Sequence, residues 1–263
     1  MSPDHNLYSL VDNSLNIFKD REVFPVEYKK KKYWVKRGRP SGSNLLQHFA
    51  WKMLHFPLLT PAENQSVEES IVYETEKIKR MHSLGIPVPS LILIEKKFFV
   101  MEDVGSPLYI LLKKNPHILP HIYTAIELLG ALHRKKEYHG GAQLRNITMK
   151  DSGLFFIDFE EKFSSEVSLE LLQIRDVFMF LLCLSKHNFE YDYYLLLEKY
   201  ITASGNLDIK KELEKISNSL RPVKKLLKPK PIRNILDKDT LAFARLLDII
   251  SSEHLSTEKK AGG

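Results

Sequence analysis

The segment RNITMKDSGLFFIDFEE, residues 145–161, places Asn146 and Asp158 twelve positions apart, at the outer ends of two short runs that meet at Asp151-Ser152-Gly153. Folded as a tight hairpin, it brings an amide oxygen and a carboxylate to one end, and hard oxygen donors of this kind suit Mg²⁺. Asp158 closes the apolar run LFFI. A carboxylate at the end of a buried strand needs a cation or donors to offset its desolvation. Glu160 and Glu161 follow immediately, two further carboxylates beside Asp158.

Composition narrows the setting. With 263 residues, 43% of them hydrophobic, the chain can bury a core large enough for one domain or two packed lobes. No run approaches the ~18 uncharged apolar residues of a membrane span, and MSPDHNLYSLVDN lacks the order of a signal peptide, so a cytoplasmic address is expected. The single cysteine, Cys183, lies in the apolar FMFLLCLS, reads as a small core residue, and excludes a disulfide within the chain and a cysteine-cluster metal site. The net charge of +6 gathers in YKKKKYWVKRGRP (28–40) and RPVKKLLKPKPIR (221–233). Such runs attract polyphosphate, anionic lipid or nucleic acid, or are simply solvated faces.

The elements that must position these groups change character along the chain. VFPVEYKKKKYWVKR alternates around charged turns, as antiparallel strands do, so the beginning reads as β-rich. A helical rhythm occupies GSNLLQHFAWKMLHF, roughly residues 42–56, and a second helix, SVEESIVYETEKIKRMHSLG, stops at Gly85 with Lys79, Arg80 and His82 near its end. PVPSLILIE and KKFFVMEDV read as two strands turning at Lys96-Lys97. After Gly105 come helices over SPLYILLKK, HIYTAIELLGALHRKK, LELLQIRDVFMFLLCLSK, FEYDYYLLLEKYITAS, IKKELEKISNS and KDTLAFARLLDIISS, interrupted by the NITMK/LFFIDF hairpin. No internal repeat or low-complexity tract competes with this order.

This order and these motifs resemble a small atypical bacterial member of the protein-kinase-like superfamily, in the style of lipopolysaccharide-core kinases, RIO-type kinases and aminoglycoside or choline phosphotransferases. The resemblance runs from the Lys36 strand to the helix holding Asp176. It implies an α+β, two-lobed fold: an antiparallel-sheet N-lobe over 1–104 with the helical insertion near 42–56, a mainly helical C-lobe over 105–255, and a flexible tail over 256–263. It implies ATP with Mg²⁺, or Mn²⁺ in its place, and a set of catalytic residues. YWVK matches the strand whose lysine meets the phosphates, giving Lys36, also readable as one more lysine of a basic run. Glu74, eleven residues before GIPVP, is the helix carboxylate that pairs with it, in preference to Glu76. VMEDVGSPL resembles the connector that offers backbone groups to adenine, at Glu102, Asp103 and Val104. Asn146 and Asp158 become the metal ligands, Asp176 a brace for the catalytic loop, and His139 a structural support.

The departures bear on function. No glycine lies between Asn13 and Lys36, so a Gly-rich phosphate loop is absent and Arg37, Arg39 and GRPSGSN are the candidates for phosphate grip. Gly141 stands where the catalytic-loop aspartate belongs, and Glu160 where a metal-binding segment ends in glycine; against the resemblance, Glu160 and Glu161 are candidates for a further metal ligand or for orienting the acceptor hydroxyl, and Gln143 for the latter. HGG-x-x-x-RN with DFE resembles a recurring pattern of kinase-like bacterial proteins; Arg145 would meet a phosphate or Glu160. No Ala-Pro-Glu segment or activation loop follows DFEEKF. The expectation is an ATP-dependent phosphotransferase acting on a hydroxyl of a glycan, a lipid-linked sugar or a protein. The alternative is a pseudokinase scaffold, and a nucleic-acid module is the weakest of the three. A peripheral contact with the inner, anionic face of a membrane is a further expectation; the acceptor and oligomeric state are not legible.

Overall fold

The computed structural model describes residues 5–43, 56–187, 189–220 and 238–261. The helix expected near 42–56 and the basic 221–233 segment lie almost wholly outside them. The chain forms two compact units: of the described residues, 5–43, 59–110 and 145–166 belong to the first and the rest to the second. The change of unit at 110/111 comes six residues after the expected 104/105 boundary, and residues 145–166 return to the first unit.

The first unit is built on a sheet of four strands, β1 (Val23–Tyr28), β2 (Lys31–Arg37), β3 (Leu91–Ile94) and β4 (Phe98–Glu102), in the antiparallel order β1-β2-β4-β3. Register assigns opposite work to its faces. Val35 sits across from Phe24 and Val100. These residues form a core with Leu93 and Phe98. Lys36, the next residue, is across from Val23 and Phe99 and belongs to the other face.

The core face carries a correction. The N-terminal stretch read as β-rich begins with a helix, α1 (His5–Ile17). Leu7 and Val11, one turn apart, are buried against the sheet core. Burial of that kind contributes about 1.5–3 kcal/mol per side chain, enough to override the poor helix propensity of Ser9, Asp12, Asn13 and Ser14. Arg37 ties the end of α1 to β2. Its Nη2 donates to the carbonyls of Leu15 (2.6 Å) and Phe18 (3.2 Å), and its Nε to that of Arg21 (3.1 Å), which satisfies carbonyls that a helix end leaves open.

Helix α2 (Val67–Ser83) starts at a capping box, with the Ser66 hydroxyl accepting from Glu69 N–H and the Glu69 carboxylate accepting from Ser66 N–H. Gly85 follows in the left-handed conformation, φ 74°. A second sheet joins β5 (Ser106–Pro107), β6 (Ile147–Lys150) and β7 (Gly153–Phe156) in that order. Ser106 and Pro107, expected to open a helix, instead pair with Met149 and Thr148. Helix α3 (Leu108–Lys114) begins one residue later. Gly105 makes the entry possible: at φ 92° its backbone passes so close to Met149 that an added Cβ would lie 2.0 Å from the carbonyl oxygen.

The second unit is helical: α4 (His121–Arg134), α5 (Leu169–His187), α6 (Tyr193–Ser204), α7 (Ile209–Ser219) and α8 (Lys238–Ala261). Helix α4 packs on α6 at Gly130, where a Cβ would meet that of Ala203 at 2.7 Å. Helix α5, apolar around most of its circumference, buries Val177, Phe178, Leu181 and Leu184. Cys183 is buried there, as its sequence context implied.

Candidate functional site

Within the first unit, α2 and the segment that follows the β6–β7 hairpin bring carboxylates to one nitrogen, that of Lys36 on β2. Lys36 Nζ lies 2.8 Å from both carboxylate oxygens of Glu74 and 2.5 Å from Asp158 Oδ1, with Glu160 Oε2 at 3.6 Å. The lysine and Glu74 are almost completely buried; the Asp158 side chain is 29% exposed. Glu76, the neighbour judged the poorer partner, faces solvent and pairs with Lys79.

The electrostatics follow from burial and charge. Desolvation alone would lower the Lys36 pKa, but Glu74, Asp158 and Glu160 outweigh it and hold the ammonium well above its ordinary range. Burial pushes the Glu74 carboxyl up, opposed by Lys36 and reinforced by Asp158. The lysine is therefore a fixed positive charge shared among three carboxylates.

Asp158 adopts φ 68°, in the left-handed region where aspartate is tolerated better than most residues with a Cβ. This places it past the end of β7, and Ile157 N–H donates to Asn146 O at 3.0 Å, closing the hairpin with positions 146 and 158 at the same end. The two expected metal ligands line one cavity of about 410 Å³ together with Lys36, Arg39, Arg145 and Glu160. Met101 and Val23, from the lysine's side of the sheet, supply apolar wall. Among the described residues no group of three or more His, Cys, Asp or Glu converges as a metal cage. An amide and a carboxylate opening on a cavity nevertheless fit Mg²⁺, which keeps several waters and takes phosphate oxygens for its remaining positions.

Helix α2 and Gln65, two residues before it, also hold the segment that follows Asp158. Tyr73 Oη donates to Glu161 O (3.1 Å), Gln65 Nε2 to Glu160 O (3.3 Å), and Lys77 Nζ stands 5.7 Å from the centre of the buried Phe159 ring. Lys77 escapes sequence reasoning because a helix lysine reads as solvated; its spacing of three from Glu74, which sets the two on one helix face, is the signal that could have found it.

The phosphate-grip candidates separate. Arg37 is spent on α1. Arg39 donates to Glu160 and, at 3.1 Å, to Glu22 on the rim of the same cavity. Glu160 thus stands between two cations, Arg39 and Lys36. The expected adenine-contacting residues are placed as follows. Glu102 N–H donates to Ser90 O and Asp103 O accepts from Lys150 Nζ. The Asp103 carboxylate accepts from Trp34 Nε1 at 2.6 Å, and Val104 is buried.

In the second unit, Asp176 is fully buried and accepts from His139 N–H (2.6 Å) and Gly140 N–H (2.9 Å). His133 Nε2 contacts it at 3.3 Å, and His133 Nδ1 in turn meets Tyr200 Oη at 2.8 Å. Burial would raise the Asp176 carboxyl, yet His133, His139 and Arg175 hold it below its ordinary value. This is the loop brace expected of Asp176. Gly141 N–H donates to His139 Nδ1 at 3.1 Å.

Comparison with known proteins bears on the family and the fold. A family model described as RIO domain matches residues 60–193, just over half of the chain. A Haemophilus influenzae protein, described as uncharacterized, is 29% identical over 166 residues; the match covers 62% of this chain and 62% of the relative. Among solved structures, WaaP in complex with acyl carrier protein superposes with a TM-score of 0.50 at 12% identity, over 79% of this chain and 84% of that one. At that identity the likeness speaks for a shared kinase-like α+β fold.

Proposed function

Because the chain belongs to the RIO domain family, an atypical kinase-like family of phosphotransferases, we propose that it moves the γ-phosphate of ATP to a hydroxyl of a glycan, a lipid-linked sugar or a protein. The observation that carries this reading is the meeting of Lys36, Glu74 and Asp158 at one ammonium nitrogen, with Asn146 on the same cavity. A buried lysine surrounded by carboxylates is costly to maintain, and polyphosphate chemistry gives a reason to maintain it.

In this reading each residue has its own task. Glu74 holds Lys36 forward so that its charge faces the α- and β-phosphates. Asn146 and Asp158 hold Mg²⁺, or Mn²⁺, through an amide oxygen and a carboxylate. The ion, when bound, neutralises charge on the phosphates. Arg39 and Arg145 line the cavity where further phosphate oxygens would lie, and the Glu102–Val104 connector would serve the adenine through backbone groups other than Glu102 N–H and Asp103 O, which are bonded to Ser90 and Lys150. Glu160, held by Arg39, replaces the usual glycine and keeps a third carboxylate beside Lys36.

Gly141 supports a second reading, a pseudokinase that binds nucleotide without transferring phosphate. In a loose transfer, positioning and charge neutralisation outweigh the base, so an absent aspartate does not by itself end catalysis. Calorimetric titration of ATP with and without Mg²⁺, into the parent and Asp158→Ala proteins, tests the nucleotide site. Radiolabelled transfer from γ-labelled ATP separates the readings. Binding that requires Mg²⁺ and Asp158 with labelled product supports the enzyme; the same binding without product supports the scaffold. No binding at millimolar ATP defeats the enzyme and favours a scaffold that binds no nucleotide.

A further inference from the structure

A second cavity of the first unit, about 600 Å³, shares no lining residue with the Lys36 cavity. It is lined by Lys30, Lys31, Lys32 and Lys150 together with Glu102 and Asp103. We infer that this groove is a separate binding site for a small phosphate-bearing, hydroxyl-rich molecule, a sugar phosphate in chemical class. The inference stands apart from catalysis at Lys36.

Two of the four lysines are positioned by the protein. Lys32 Nζ lies 3.1 Å from the Asp103 carboxylate and 4.4 Å from the centre of the Trp34 ring, while Lys150 Nζ donates to Asp103 O at 2.7 Å. The Lys30 and Lys31 side chains make no hydrogen bond or ion pair among the described residues and stand exposed at the groove. Crowded ammonium groups repel one another, and an anion entering between them relieves that repulsion.

The backbone supplies an independent observation. Lys29 and Lys30, the two residues joining β1 to β2, have φ of 50° and 60°. A two-residue loop with both residues left-handed is a type I′ turn, which Asn-Gly forms with far less strain than Lys-Lys. Strained backbone under lysines points to a use for the side chains there. Lys29 turns back onto Tyr28, its Nζ 4.9 Å from the ring centre, and leaves Lys30 to the groove.

Shape and the acidic wall choose the ligand. A cavity of this volume is within the range of about 300–1,000 Å³ typical of small-molecule sites. The Glu102 and Asp103 carboxylates would repel a continuous phosphate backbone or an anionic bilayer plane, but they can accept hydrogen bonds from hydroxyls of a ligand charged at one end only.

The test is calorimetric titration with glucose 6-phosphate, without Mg²⁺ and at low salt, with glucose and inorganic phosphate as control ligands. The proteins are the parent, Lys30→Gly/Lys31→Gln and Asp158→Ala. The expected result is binding of glucose 6-phosphate about tenfold tighter than phosphate, no binding of glucose, a loss of about tenfold or more in the double variant, and no change in Asp158→Ala. Because Lys30→Gly relaxes the turn, the double variant's melting temperature stays level or rises while binding falls, which excludes misfolding as the cause. Equal binding by parent and double variant, or no binding by the parent, overturns the proposal. So does a dependence on Lys30 and Lys31 confined to phosphatidylglycerol vesicles or to a single-stranded oligonucleotide, which would reassign the lysines to a membrane or to nucleic acid.

Discussion

Glu74 and Lys36 are 38 residues apart in sequence and face each other at 2.8 Å in a nearly water-free setting. Removing one member strands the other. Lys36→Met leaves Glu74 buried without its cation, and Glu74→Gln leaves the ammonium with Asp158 and Glu160 alone. Each single change is expected to cost about 3–5 kcal/mol, whereas Lys36→Met/Glu74→Leu should return to within about 1 kcal/mol of the parent. Urea unfolding of the four proteins reads this directly; additive single costs in the double variant would refute coupling. All three variants should lose Mg·ATP binding.

Asp158 permits a sharper dissection, because its backbone and its carboxylate make separate demands. Asparagine tolerates φ 68° nearly as well as aspartate, and alanine does not. Asp158→Asn should therefore keep its melting temperature close to the parent's while the Mg²⁺-dependent part of ATP affinity falls by at least about tenfold, roughly 1.4 kcal/mol. Asp158→Ala should lose both affinity and about 1 kcal/mol or more of stability. Equal stability losses in the two variants would show that the carboxylate, not the conformation, sets the cost.

Asp176 fixes the acid limb of stability. Its folded pKa lies below the ordinary aspartate value of 3.8, so its contribution is present above that pH and is lost as pH falls through the depressed folded value. In Asp176→Asn an amide group opposes the His139 and Gly140 N–H donors, at an expected cost of about 2–4 kcal/mol at neutral pH. The gap between parent and variant should narrow on acidification below about pH 4. Thermal melts from pH 7 to 2.5 measure it; a gap independent of pH would remove Asp176 from the acid response.

Gly85 and Gly105 share a left-handed backbone but not their surroundings. A Cβ on Gly85 meets nothing within 4 Å, whereas one on Gly105 falls 2.0 Å from Met149 O. Gly85→Ala should cost about 1 kcal/mol, the conformational penalty alone. Gly105→Ala should cost more than about 3 kcal/mol, because the β5–β6 pairing must open to admit the methyl group. Chemical denaturation of the two variants side by side decides it.

Much of this was legible in the residues. Alternation around 23–37 and 91–102, the capped run ending at Gly85, and the Asp-Ser-Gly turn each carry local signals, and the structure forms strands, helix and hairpin at those places. The pairing of Lys36 with Glu74 follows from motif order. Helix α1 was missed because Ser, Asp and Asn in its sequence favour turns, and its stability comes from packing Leu7 and Val11 on a sheet that the local pattern does not mention. Arg37 and Arg39 looked alike as phosphate ligands. Their partners, the carbonyls near the end of α1 and Glu160 at a separation of 121 residues, are tertiary facts that one sequence does not encode locally.

The clamp of Arg37 on the carbonyls of Leu15, Phe18 and Arg21 has a mechanical meaning. It is a rivet through which tension on the first helix reaches β2, and the neighbouring rung of that strand is Lys36. A tether or force probe attached near residue 5 would thus pull, one peptide bond removed, on the ammonium at the centre of the carboxylate cluster.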